Sequence, residues 1–165
     1  MGSNIKGRSV SGSNKTRVLE NLYIGSAPPV GDDLKEEEFS ILWLCAEEYQ
    51  PKSSEFPGVE VHRMHLKDQG QEISNHQVRE VKEDAALLAS QIKTGSKILV
   101  TCRMGLVRSA TMIVAALKIL SPNKPLKDII STLRKIRDPR VLASDNWVDA
   151  LNRMFPEDKS NADAV

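Results

Sequence analysis

The sequence predicts a single α/β domain: a central mixed, mostly parallel sheet flanked by helices, with a ligand-binding loop between a strand and a helix. Three observations predict it. Apolar runs of strand length alternate with longer segments whose apolar residues recur at helical spacing. The chain has 165 residues, enough to bury one core without staples. And "KILVTCRMGLVRSATMIVAALKIL" (97–120) sets a buried-strand pattern, a short loop with one glycine and a helical apolar run in direct succession.

The elements follow in order. Residues 1–16 are rich in Ser, Gly, Asn and Lys and read as a mobile arm, and 157–165 as a mobile tail, leaving 17–156 as the folded unit. "RVLENLYIGS" (17–26) reads as one or two short strands ending at Gly25. "FSILWLC" (39–45) and "VEVHRMHL" (59–66) are compact apolar runs with the look of strands, the second following a Pro-Gly turn. Ser74 with Gln77 forms a capping box, and Val78, Val81, Ala85, Leu88 and Ile92 then repeat at helical spacing towards a C-cap at Gly95. "KILVT" (97–101) is a short buried strand. Helices follow over 108–120, over 125–137 with Pro125 in its first turn, and over 144–155, capped by Ser144 or Asp145.

Composition removes several classes of function. Lys plus Arg exceed Asp plus Glu by only 23 to 22, so no global basic field recruits nucleic acid or an acidic membrane. Two cysteines do not make a disulfide scaffold, and no Cys/His cluster has zinc-ligand spacing. No apolar run is long enough to span a bilayer, and the polar N-terminus lacks the hydrophobic segment of a secretory signal. These features predict a soluble, intracellular, cytoplasmic protein that needs no cofactor and no metal.

Cys102 falls where the carboxyl end of a buried strand meets a helix N-terminus, the place where α/β folds bind ligands. Unpaired N–H groups and the helix dipole favour an anion there, and both stabilise a thiolate, the reactive form of cysteine. Gly105 allows the loop backbone angles that side chains forbid, so that its N–H groups can turn inward. Arg108 supplies a planar fork suited to two oxygens of a phosphate. A buried cysteine is usually just a small hydrophobe. With two cysteines in the chain, however, Gly at +3, Arg at +6 and Ser or Thr at +7 arise by chance roughly once in a thousand sequences.

"CRMGLVRS" resembles the Cys-x5-Arg-Ser/Thr signature of the cysteine-dependent protein tyrosine phosphatases. The order of "LYIGS", "ILWLC", "HLKDQGQEIS", "RSATMIVAAL" and "LASDNWVDAL" is similar to the compact dual-specificity branch over residues 17–155. The resemblance implies a cysteinyl-phosphate mechanism without metal on phosphoprotein substrates. Cys102 is then the nucleophile, Arg108 and the backbone of Arg103, Met104, Gly105, Leu106 and Val107 hold the phosphate, and Ser109 supports the leaving thiolate. Asp68 is implied as the general acid, with Glu72 as fallback and Asp32 and Asp33 behind it. Two positions depart from the pattern. Thr101 stands where the family has His before the nucleophile, and Ser144 where Asn is commoner.

No spare segment could build the long loop that deepens strictly phosphotyrosine-directed clefts, so the pocket should admit phosphoserine and phosphothreonine too. The alternatives are a non-protein substrate (phosphoinositide, sugar phosphate or RNA 5′-triphosphate), a non-catalytic phosphate-binding module, and a rhodanese-like sulfurtransferase. Apolar Met104, Leu106 and Val107 disfavour the first; the Arg-Ser ending and the Asp68 loop disfavour the last. If the strands ending at Cys45 and Cys102 are neighbours, as the resemblance implies, Cys45 can pair with the nucleophile under oxidation. His62 and His65, three apart on a strand, face opposite sides and cannot grip one ion. Trp43 and Trp147 read as core aromatics, and Arg137 and Arg140 as a basic helix end, with attraction of acidic phosphopeptides as their other reading.

Overall fold

The computed structural model describes residues 14–67 and 71–158. Strands β1 (Lys15–Leu19) and β2 (Leu22–Gly25) form a hairpin. Then come a short helix α1 (Asp33–Glu36), β3 (Ile41–Ala46), a 3-10 turn (Ser53–Glu55) and β4 (Glu60–Leu66). Helix α2 (Asn75–Lys93) leads to β5 (Ile98–Thr101), and α3 (Arg108–Leu120), α4 (Leu126–Ile136) and α5 (Asp145–Met154) complete the domain. The sheet order is β1-β2-β5-β3-β4, with only the β1–β2 pair antiparallel. It is the mixed, mostly parallel sheet that the alternation predicts.

Burial follows the pleat. Trp43 and Cys45 of β3 and Val100 of β5 join the large core, to which all four long helices contribute. Leu42, Leu44 and Leu99 point the other way, into a smaller cluster closed by Leu34 of α1, Phe39 and Phe56. Strands buried on both faces read as unbroken apolar runs, as "ILWLC" and "KILV" do. Trp43 and Trp147 are both buried, and the Trp43 indole donates to the Gln91 side chain at 2.8 Å and stacks on His62. Among the described residues, no helix is long and apolar enough to cross a membrane.

The starts of the four long helices agree with the sequence to within a residue, with one difference in chemistry. The Ser74 hydroxyl accepts from the Gln77 N–H at 3.1 Å, as expected. Ser144 is the N-cap of α5 but makes no capping bond; its hydroxyl is turned to the Asn146 side chain. The folded unit also extends past both boundaries read from composition. β1 starts inside the expected arm, at Lys15. Asp158, in the polar stretch read as a tail, is 4 % exposed. Its carboxylate accepts from the Lys118 ammonium at 2.6 Å and from the Leu126 N–H at 3.0 Å, so one ion pair closes α3 against the first turn of α4.

Breaking a buried pair strands the surviving charge. Asp158→Ala is expected to cost about 3–5 kcal/mol by leaving Lys118 uncompensated. That corresponds to a fall in Tm of roughly 10 °C in a thermal melt. The double variant Lys118→Met/Asp158→Leu should recover most of the loss. An Asp158→Ala protein melting with the wild type would show that the pair contributes nothing.

Candidate active site

β5 lies between β2 and β3, so the carboxyl ends of three parallel strands open onto one crevice, with β4 beside them. Such a switch point collects ligands because the connections leave in opposite directions there. Each strand end supplies a part. Gly25 ends β2 and its carbonyl accepts from the Cys102 N–H at 3.4 Å. Cys102 follows β5 and is 4 % exposed. β3 runs out into Glu48, and Leu66 ends β4.

Residues 103–107 form a cup through the direction of their peptide groups. Every carbonyl is held outward by the protein. Arg103 O accepts from the Ala27 N–H at 3.1 Å, and Leu106 O from the Leu142 N–H at 2.8 Å. Met104 O and Gly105 O accept from the Arg137 guanidinium at 3.2 and 3.1 Å. Val107 O takes both the N–H and the hydroxyl of Thr111, at 2.8 and 2.9 Å. Among the described residues, none of the N–H groups of 103–107 finds a protein acceptor. In a planar trans peptide the N–H points opposite to its carbonyl. The carbonyls of 103–107 out therefore means the N–H groups of 104–108 in, a ring of donors that runs into the uncapped N-terminus of α3.

Gly105 is the residue that lets the loop close. Its φ is +72°, and a Cβ there would lie 2.6 Å from the Gly25 carbonyl and from the Arg137 guanidinium. No side chain fits. The cavity that remains, lined by Cys102, Met104, Leu106, Val107 and Arg108, has a volume of about 110 Å³, the scale of one small oxyanion.

Arg108, 2 % exposed, is fixed from below. Its two Nη atoms donate to the two Glu48 oxygens at 2.7 Å each, and Nη1 also donates to the Leu66 carbonyl at 2.9 Å. Glu48 is itself placed by its neighbours. The Gln50 amide donates to the carbonyls of Leu44, Ala46 and Met64, and the Tyr49 hydroxyl to that of Pro28. The hydrogen bond from Arg108 outweighs partial burial and holds the Glu48 carboxyl at about 2, well below its ordinary 4.5.

The structure brings together Cys102, Arg103 to Arg108 and Ser109, whose buried hydroxyl lies 3.2 Å from the Cys102 sulfur. Asp68 lies outside the described residues. The fallback acid Glu72 and Asp32 are exposed and Asp33 half-buried. Cys45 and Cys102 are both free thiols within one core cluster, at the ends of adjacent strands paired through Leu44 and Thr101. Burial, the largest cause, pushes the Cys45 thiol up, and the neighbouring Cys102 adds to it. Thr101 gives its hydroxyl to the Trp43 carbonyl at 2.8 Å, so it ties β5 to β3. Arg137 is turned to the loop and Arg140 to Asp138.

Sequence reasoning missed Glu48 as a site residue and did not assign Arg137 to the loop. The available signal for Glu48 was an acid just past a buried strand, on the same sheet edge as Cys102.

The Glu48 carboxyl is depressed in the folded state, so its contribution is full above about 4.5 and disappears as pH falls through about 2. Glu48→Gln should unfold at lower urea than wild type at pH 6. The gap in midpoint should shrink steadily between pH 5 and pH 2. A gap independent of pH would show that the charge of Glu48 does not hold Arg108.

No protein-family model matches the chain, and no curated protein matches it by sequence. Solved structures do match. Human DUSP28 superposes with a TM-score of 0.72 at 19% identity, over 87% of this chain and 94% of that one. PTPMT1 in complex with PI(5)P gives 0.65 at 21% identity, over 90% and 99%. OH1 from the Orf virus, described as a tyrosine phosphatase with triple substrate specificity, gives 0.64 at 19%, over 90% of each chain. The chain has the fold of the compact dual-specificity and tyrosine phosphatases.

Proposed function

We propose that the protein is a cysteine-dependent phosphatase that hydrolyses phosphomonoesters on tyrosine, serine and threonine of phosphoproteins. The observation that carries this reading is the cup itself: the outward carbonyls of 103–107 turn the N–H groups of 104–108 inward above a cysteine, with the Arg108 side chain and Ser109 at its base. In the first step the Cys102 thiolate attacks phosphorus. The S–P bond forms, the ester P–O bond breaks, and the general acid protonates the leaving oxygen. The inward N–H groups and Arg108 bind the equatorial oxygens where charge spreads in the transition state. In the second step water attacks phosphorus, inorganic phosphate forms, and Cys102 leaves as thiolate beside the Ser109 hydroxyl.

Asp68 is the proposed acid. The described chain on either side supports the assignment: Leu66 accepts from Arg108, and Gln71 accepts from the Asn146 side chain of α5 at 2.9 Å. Breadth of substrate follows from the surroundings of the cup. The segment between β2 and β3 holds only the one-turn helix α1, so it builds no deep wall. Met104, 55 % exposed at the mouth, offers an apolar contact to a leaving group, and Lys67 sits opposite Glu47 at 4.0 Å. That balance of charge suits a single phosphate better than a headgroup carrying several.

The test is hydrolysis of an aryl phosphate across pH 5 to 8, followed by phosphopeptides, phosphoinositides and RNA 5′-triphosphates. Vanadate should inhibit, Cys102→Ser should abolish turnover, and Asp68→Asn should lower kcat by about 10²–10⁴-fold, the usual worth of a general acid. Turnover of lipid or RNA but not of phosphopeptides would replace the substrate class. A folded protein with no turnover at any pH would leave a phosphate-binding module.

Oxidation gives a second test. Peroxide converts the Cys102 thiolate to a sulfenic acid, and the Cys45 thiol then displaces water to form a disulfide. The adjacent strand ends and shared core cluster support that pairing. Peptide mapping after mild peroxide should show Cys45 linked to Cys102 and activity restored by dithiothreitol. Only over-oxidised Cys102 would remove the pairing.

A further inference from the structure

The cup is held open by unequal means. Three of its five outward carbonyls, those of Arg103, Leu106 and Val107, are held by backbone N–H groups of Ala27, Leu142 and Thr111. The remaining two, on Met104 and Gly105 at the tip of the loop, are held by one side chain. Arg137 sends Nη2 to Met104 O and Nε to Gly105 O, and anchors itself through Nη1 on the Thr16 hydroxyl of β1 at 3.0 Å. The peptide unit that carries Met104 O also carries the Gly105 N–H, and the one that carries Gly105 O carries the Leu106 N–H. A cation bound to these carbonyls polarises the same peptides and strengthens their N–H groups as donors.

We propose that Arg137 is a positioning residue for phosphate: its side-on fork sets and polarises the Gly105 and Leu106 N–H groups that face the anion. The proposal rests on the phosphatase reading of the pocket. It is distinct from attraction by a basic helix end, because the guanidinium touches the outer face of the loop and is half-buried there. Geometry separates the two. A lysine keeps the charge but cannot span two carbonyls in one plane. Arg140, three residues on, is exposed and paired with Asp138 through Nη2 at 3.0 Å, so it controls for bulk charge.

The experiment measures tungstate affinity by calorimetry, with kcat and KM on an aryl phosphate, for wild type, Arg137→Ala, Arg137→Lys and Arg140→Ala. Thermal melts run in parallel. Arg137→Ala should bind tungstate about 10- to 100-fold more weakly, somewhat less than the loss of a donor outright. Arg137→Lys should stay close to Arg137→Ala, with a Tm near wild type, and Arg140→Ala should remain within about twofold of wild type. Dilute guanidinium should restore part of the Arg137→Ala loss. Arg137→Lys at wild-type affinity would overturn the proposal by reducing the role to charge, and Arg137→Ala at wild-type affinity would overturn it by removing the role altogether. Wild type that fails to bind tungstate would instead overturn the reading of the pocket, and wild type that binds it without turnover would overturn only the phosphatase reading.

Discussion

The structure depends on one covalent constraint, the planar trans peptide. In the loop after β5, five successive carbonyls are drawn outward by partners from four other segments: the turn after β2, the first turn of α3, the end of α4 and the segment before α5. Because N–H and carbonyl oppose each other across each peptide, the interior of the loop becomes a ring of backbone donors, with side chains used only on its outer face. Gly105 at φ +72° is the single point where the backbone must turn left-handed, and Gly25 lies so close behind it that no Cβ is tolerated.

The sheet order turns that local device into a site. Placing β5 between β2 and β3 brings Gly25, Cys102 and Glu48 to one edge, while β4 delivers Leu66 to the same place. Arg108 needs this convergence. A guanidinium only 2 % exposed would be costly in an apolar core. Here a bidentate carboxylate and a carbonyl both hold it and fix its direction. On the far side, the α3–α4 corner is locked by the buried Lys118–Asp158 pair, so the helix that starts at the cup is fixed at both ends.

Legibility in the sequence divided along the range of the interactions. The strand runs, the Ser74 cap and the Cys102-to-Ser109 spacing are local patterns, and each could be read directly. Glu48 could not be assigned in the same way, because its partner is 60 residues away and the pairing exists only once β5 inserts beside β3. Arg137 was legible as a cation at a helix end, but its partners are carbonyls, which carry no signature in sequence. Asp158 was hidden by its polar neighbours, since composition reports an average and one buried carboxylate does not change it. Thr101 reads differently with the structure in hand. Where a histidine was expected, its hydroxyl binds the Trp43 carbonyl, which is a strand-to-strand tie.

The central claim is that the backbone of the loop after β5 is itself the anion receptor. The most direct measurement is a tungstate titration of uniformly 15N-labelled protein followed amide by amide. The account predicts that the resonances of residues 103–108 move together and saturate, while those of Ala27 and Leu142, whose N–H groups are already engaged by loop carbonyls, move little. Saturable binding that leaves 103–108 in place and shifts another surface would contradict it.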